Sequence, residues 1–107
     1  MQDIDLTPPQ RKALLEVFSP YADRIETVGI YGSRVQGKAR AGSDVDIVVY
    51  GRVSHSDVAD IAHDLDESDL SIFAGVIAYD AITHAPLKAQ VDKWMQPLFR
   101  RDDLARG

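Results

Sequence analysis

The sequence predicts a small mixed α/β domain, an α+β arrangement in which helices pack on one modest sheet. Three observations carry that expectation. Segments with helical apolar spacing alternate with short β-branched runs, the gaps between them are brief, and no repeat or low-complexity tract interrupts the order. At 107 residues the chain is long enough for a single core but not for a second lobe, so residues 1–107 form one domain.

The elements follow in order along the chain. Thr7 is placed to cap a helix, with Pro8 in its first turn and Gln10 completing a capping box. Leu14, Val17, Phe18 and Tyr21 recur at helical spacing, and the helix should end near Ser19 and Pro20. A strand over 28–31 then runs into Gly32, which permits a tight turn, and Ser33 stands where a short helix could begin. The next strand, over 44–50, stops at Gly51. A second packing helix, capped by Ser54 or Ser56, places Val58, Ile61, Ala62 and Leu65 on one face. Residues 72–79 are rich in apolar and β-branched side chains and read as a third strand. Pro86 opens a last helix whose apolar positions are Leu87, Val91, Trp94 and Leu98.

Composition narrows the function classes. With 45% apolar and 27% charged residues the chain has the make-up of a folded globular protein. No apolar run approaches the roughly 20 residues that span a bilayer. The N-terminus, with Asp3 and Asp5, lacks the basic and apolar regions of a signal peptide, so a cytoplasmic location is expected, without membrane association. The absence of cysteine removes disulfides, thiolate metal sites and a thiol nucleophile together. A net charge of −5 argues against broad nucleic-acid binding. Positive charge nevertheless gathers locally at Arg34, Lys38 and Arg40.

Those three lie inside the most informative stretch, Tyr31-Gly32-Ser33 followed after ten residues by Asp44-Val45-Asp46. A glycine turn leading into a helix start aims backbone N–H groups at an anion. Asp44 and Asp46, two apart in a strand, should share one face. Two carboxylates beside a phosphate cradle suit Mg²⁺, which keeps several waters and bridges protein carboxylates to substrate phosphates. The three histidines, His55, His63 and His84, lack zinc-site spacing and receive no catalytic role. Ser33 has no His-Asp partners and fits a phosphate contact better than a nucleophile. Trp94 reads as core or interface, with base stacking as a lesser option.

The segment from Gly32-Ser33-Arg34-Val35-Gln36-Gly37 through Ser43-Asp44-Val45-Asp46-Ile47 resembles the Gly-Ser to Asp-x-Asp signature of minimal nucleotidyltransferases, the MNT type of the DNA polymerase beta-like superfamily. Leu65-Asp66-Glu67-Ser68-Asp69-Leu70 and Ile82-Thr83-His84-Ala85-Pro86-Leu87-Lys88 are similar to the segments flanking that family's third strand. The resemblance runs from the opening helix to about Phe99. It implies a nucleotidyltransferase fold, Mg²⁺ with Mn²⁺ as a substitute, and a nucleoside triphosphate, ATP by preference. Gly32 and Ser33 would hold the triphosphate, with Arg34 and Lys38 beside them, while Asp44 and Asp46 would ligate the catalytic metal. Family members of this size often resemble antitoxins paired with a HEPN-type helical toxin. The family's third metal carboxylate, however, belongs where this chain has Gly75. Asp80 has the wrong parity to replace it, and Asp69 precedes the strand. The resemblance therefore implies an antitoxin-type protein that binds Mg-nucleoside triphosphate, with transfer impaired at Gly75. The alternative is an active enzyme that transfers an adenylyl group to a protein, RNA or small-molecule hydroxyl. Acceptor, base preference and oligomeric state stay open at this level.

Overall fold

A computed structural model describes residues 4–37, 44–70 and 72–106. Helix α1, Pro8–Phe18, begins at Thr7 with the expected capping box: the Gln10 amide donates to Thr7 Oγ1, and the Thr7 amide donates to Gln10 Oε1. A short 3₁₀ turn, Ser19–Tyr21, leads into strand β1, Ile25–Tyr31. The short helix α2, Ser33–Gln36, is followed by β2, Val45–Gly51, and α3, His55–Asp66. Strand β3, Ala74–Ala78, and helix α4, Ala85–Trp94, precede β4, Gln96–Arg100, and α5, Arg101–Arg106.

The strands form one mixed sheet in the order β3-β2-β1-β4. β1 pairs antiparallel with β2 and β4, and β2 pairs parallel with β3. The alternation of β2 divides the sheet's two faces. Val45, Ile47 and Val49 point into the main core with Val28 and Ile30 of β1, where they meet Leu14, Val17 and Phe18 of α1 and Ile61 and Leu65 of α3. On the other face, Val48 and the α4 residue Val91 are fully buried, and Met95 stands against Gly29. Helix α4 covers this second face only in part, which leaves its far end available for chemistry.

Three expectations change. The first strand starts at Ile25 rather than Val28, because a bulge at Glu26 interrupts the ladder between Ile25 and Thr27. That extra residue turns both Ile25 and Val28 inward, a spacing that strict alternation does not recognise. The second strand starts at Val45, so Asp44 lies just before it. Leu98 belongs to a strand, not to the last helix, which stops at Trp94. Pro97 supplies the reason: it pushes Gln96 into extended backbone and cannot donate to a ladder, so β4 is tolerated at the sheet edge. The α5 helix that follows was not anticipated, and its Leu104 is 1% exposed in the main core.

Candidate functional site

Antiparallel pairing of β1 and β2 brings the end of one strand beside the start of the next. Tyr31 is the register partner of Asp46, so residues far apart in sequence meet at one edge of the partly covered sheet face. Gly32 follows with φ of +79° and ψ of −150°, backbone that essentially only glycine adopts. A side chain there would also run into the Asp46 carboxylate. Glycine is thus required twice, for the turn and for the approach of Asp46. The Gly32 carbonyl accepts from the amides of Val35 and Gln36, both at 3.2 Å, which starts α2 directly after the turn.

Asp46 is half-buried, and its carboxyl is raised above the usual range first by burial and then by the neighbouring charge of Asp44. The two carboxylates therefore sit close enough to repel, with Asp44 exposed and Asp46 set deeper. Tyr31 is raised likewise, by burial and then by Asp46. A divalent cation would relieve this concentration of negative charge. Among the described residues no group of three or more His, Cys, Asp or Glu is arranged to hold a metal. A carboxylate pair alone fits Mg²⁺ when phosphate oxygens and water complete the shell. The donor set thus suits a metal–phosphate complex rather than a free-standing metal site.

The parallel ladder of β2 and β3 pairs Asp46 with Gly75. Neighbours in register project to the same face, so a side chain at position 75 would stand next to the Asp46 carboxylate. No atom lies within 4 Å of where a Gly75 Cβ would be. Space for another carboxylate exists, but the group does not. Asp80 lies beyond the strand in the 3₁₀ turn Tyr79–Ala81, five residues and roughly 15 Å along the chain. Asp69 lines a shallow cleft with Ala13, Glu16 and Val17, on the α1 side of the sheet. Neither reaches the carboxylate pair.

The expected phosphate contacts divide. Gly32 and Ser33 occupy the turn beside Asp46. Arg34, by contrast, is buried, and its Nη1 donates to the Asp5 carbonyl at 3.1 Å with the Asp5 carboxylate 3.9 Å away. The Asp5 amide in turn donates to the Arg34 carbonyl at 2.9 Å. Arg34 thus ties the N-terminal segment across α2. Lys38, Arg40 and Ser43 lie outside the described residues. His55 and His84 stand exposed at the starts of α3 and α4, and His63 is exposed on α3.

One residue at this end of the sheet escaped the sequence reading. Phe73 is 63% exposed, the single large apolar side chain so exposed among the described residues. Its carbonyl accepts from the Val45 amide at 2.9 Å, extending the β2–β3 ladder by one step. Alternation from Gly75 was the available signal, since it puts Phe73 on the Asp46 face. A cavity of about 570 Å³ lies elsewhere, between the far end of β3 and the starts of α3 and α4, lined by residues such as Val53, Val58, Ile82 and Leu87. It contains neither Asp44 nor Asp46.

Comparison with known proteins places this geometry. The chain resembles a crystal structure of a toxin–antitoxin with AMP-PNP, with a TM-score of 0.69 and 18% identity over 87% of this chain and 77% of that one. It also resembles a crystal structure of the toxin–antitoxin MntA-HepT, with a TM-score of 0.65 and 15% identity over 91% of this chain and 77% of that one. At these identities the likeness establishes the fold. A comparison with curated proteins found no match. The sequence profile described as Polymerase beta, Nucleotidyltransferase matches residues 12–104, nearly the whole chain. This protein belongs to the polymerase beta nucleotidyltransferase family.

Proposed function

We propose that this protein binds a Mg²⁺–nucleoside triphosphate, with ATP preferred, and serves as the antitoxin-type partner of a HEPN-like toxin while transferring nucleotide poorly. The observation that carries the reading is the register pairing of Asp46 with Gly75. A site with the cradle and two carboxylates, but only a glycine in the adjoining place, retains what holds a metal-bound triphosphate. It lacks what would help activate an attacking hydroxyl.

In this reading Gly32 and Ser33 would hold the phosphates through backbone and hydroxyl groups, and Asp44 and Asp46 would hold the Mg²⁺. Bound Mg²⁺ would neutralise phosphate charge and polarise the phosphorus toward attack. Asp46 fixes the geometry, because it is partly buried and lodged against Gly32. Asp44, exposed at the start of β2, adapts to the ligand. Arg34 supports the cradle by anchoring α2 to Asp5. The toxin partner and the nucleotide find support in the two similar toxin–antitoxin structures, one of them with AMP-PNP.

The test combines binding and transfer. Calorimetric titration should detect ATP binding with Mg²⁺ and lose it in EDTA or in Asp46→Asn. Incubation with labelled ATP, Mg²⁺ or Mn²⁺ and a HEPN-like partner should release little pyrophosphate. At saturating ATP, Gly75→Asp should raise that release, since the added carboxylate has room beside Asp46. Robust release by the unaltered protein would overturn the impaired-transfer reading and favour an active adenylyl transferase.

A further inference from the structure

We propose that Phe73 is the platform on which the base of the bound nucleotide stacks, and that Gly75 leaves the floor over which the ring lies. The inference rests on the nucleotide site described above and adds the place of the base. A lone exposed phenylalanine is ordinary on a protein surface. The location of this one is not.

Phe73 stands just before β3, two residues from Gly75. With Ile72, Ala74 and Val76 turned to the main core, alternation puts Phe73 and Gly75 on the side of Asp46, which is directly beside Gly75 in the ladder. No atom stands within 4 Å of where a Gly75 Cβ would be, so the space above Gly75, between positions 73 and 46, is open. In this proposal Phe73 is the aromatic wall, Gly75 the floor, and Asp44 and Asp46 the inner side. A planar ring can lie flat in such a space, and a side chain at position 75 would lift it away. At 63% exposure the Phe73 ring also has most of its surface free to receive a partner. Every base presents a π-face, so stacking there would tolerate different bases, and no base-edge reader is needed.

The dimensions agree. Gly32 and Ser33 end β1, Asp46 is on β2, and Phe73 borders β3, with these strands adjacent in that order. From the phosphate cradle to the aromatic wall is two strand spacings, about 10 Å. A nucleotide laid across the strands places phosphates on Gly32, metal on the carboxylates and base against Phe73. Gly75, which costs the site a metal ligand, thereby gives it room for the base.

Mg²⁺-ATP and Mg²⁺-tripolyphosphate serve as paired probes, titrated calorimetrically into the unaltered protein and its variants. The unaltered protein should bind ATP more tightly than tripolyphosphate. Phe73→Ala should weaken ATP roughly tenfold while leaving tripolyphosphate unchanged. Phe73→Tyr should retain ATP affinity, whereas Phe73→Leu, apolar but without a π-face, should not. Gly75→Val should mimic Phe73→Ala by filling the floor. Equal ATP affinity for Phe73→Ala and the unaltered protein overturns the proposal, as does parallel weakening of both probes. Failure of the unaltered protein to bind either probe removes the nucleotide site itself, and the base platform with it. Binding of both probes without dependence on Phe73 removes the platform alone.

Discussion

Replacing Gly32 with alanine tests the feature on which the whole site depends. At φ +79° and ψ −150° an alanine is in backbone territory that costs about 1–3 kcal/mol. Its methyl group would also collide with the Asp46 carboxylate. Turning Asp46 out of its rotamer to relieve that adds about 1 kcal/mol. The expected loss is about 2–4 kcal/mol, a large share of the roughly 5–15 kcal/mol that a domain has. Urea unfolding followed by circular dichroism reads it directly. With a slope of about 2 kcal/mol per molar, the midpoint should fall by about 1–2 M. A double-mutant cycle separates the two contributions. Adding Asp46→Ala to Gly32→Ala should restore only the collision part, about 1 kcal/mol, because the backbone strain persists. A Gly32→Ala midpoint within about 0.2 M of the unaltered protein would refute the reasoning. Full recovery in the double variant would show that the backbone is not strained and that the carboxylate alone demands glycine.

Further outcomes follow from other parts of the molecule. Leu104→Ala should cost about 2–5 kcal/mol in urea unfolding, since Leu104 is 1% exposed and belongs to the main core; a small loss would mean that α5 does not dock there. Mg²⁺-ATP at a hundred times its Kd should stabilise the unaltered protein by about 2.7 kcal/mol and Asp46→Asn by almost nothing, as read by thermal unfolding with and without EDTA. The Asp57 carboxyl is held below the usual range chiefly by the Ser54 amide, then by the Ser54 hydroxyl and Arg24, whose Nη1 donates to it at 2.6 Å. A lowered carboxyl contributes stability above the ordinary value of 3.8 and loses it as pH falls through the folded value. Asp57→Asn, which removes the charge that the Ser54 amide and Arg24 favour, should therefore lower the urea midpoint at pH 7, and the gap should narrow below pH 3.8. A gap that stays constant with pH would assign the loss to the helix cap alone. Arg34→Met should speed amide exchange at Asp5, whose N–H donates to the Arg34 carbonyl, while leaving the core amides of β2 protected.

Much of the fold was legible because its signals are local. The capping box at Thr7 lies within four residues, the cap of α3 was narrowed to Ser54 or Ser56 with Ser54 the one used, and the apolar faces of α1 and α3 repeat within a single helix. The third strand was readable from its β-branched run. β4 was not, because Pro97 breaks the apparent pattern and only the pairing with β1 makes a strand of it. The bulge at Glu26 hid the start of β1 for the same reason: a ladder partner, not a neighbour in sequence, defines it. α5 is a short segment whose stability comes from burying Leu104 against distant residues, so no local signal marks it.

By itself the sequence determined the family resemblance, the alternation of helix and strand, and the chemical kinds at the site: a glycine turn, a carboxylate pair and a glycine where another carboxylate belongs. These are properties of residue type and spacing along one chain. Only the tertiary structure decided which residues meet. It set Gly75 beside Asp46, gave Arg34 to Asp5, lodged the Asp46 carboxylate against Gly32 and left Phe73 exposed just before β3. The physical reason is that register between strands and burial between layers are relations across the chain. They are settled by core packing, which a linear pattern constrains but does not contain.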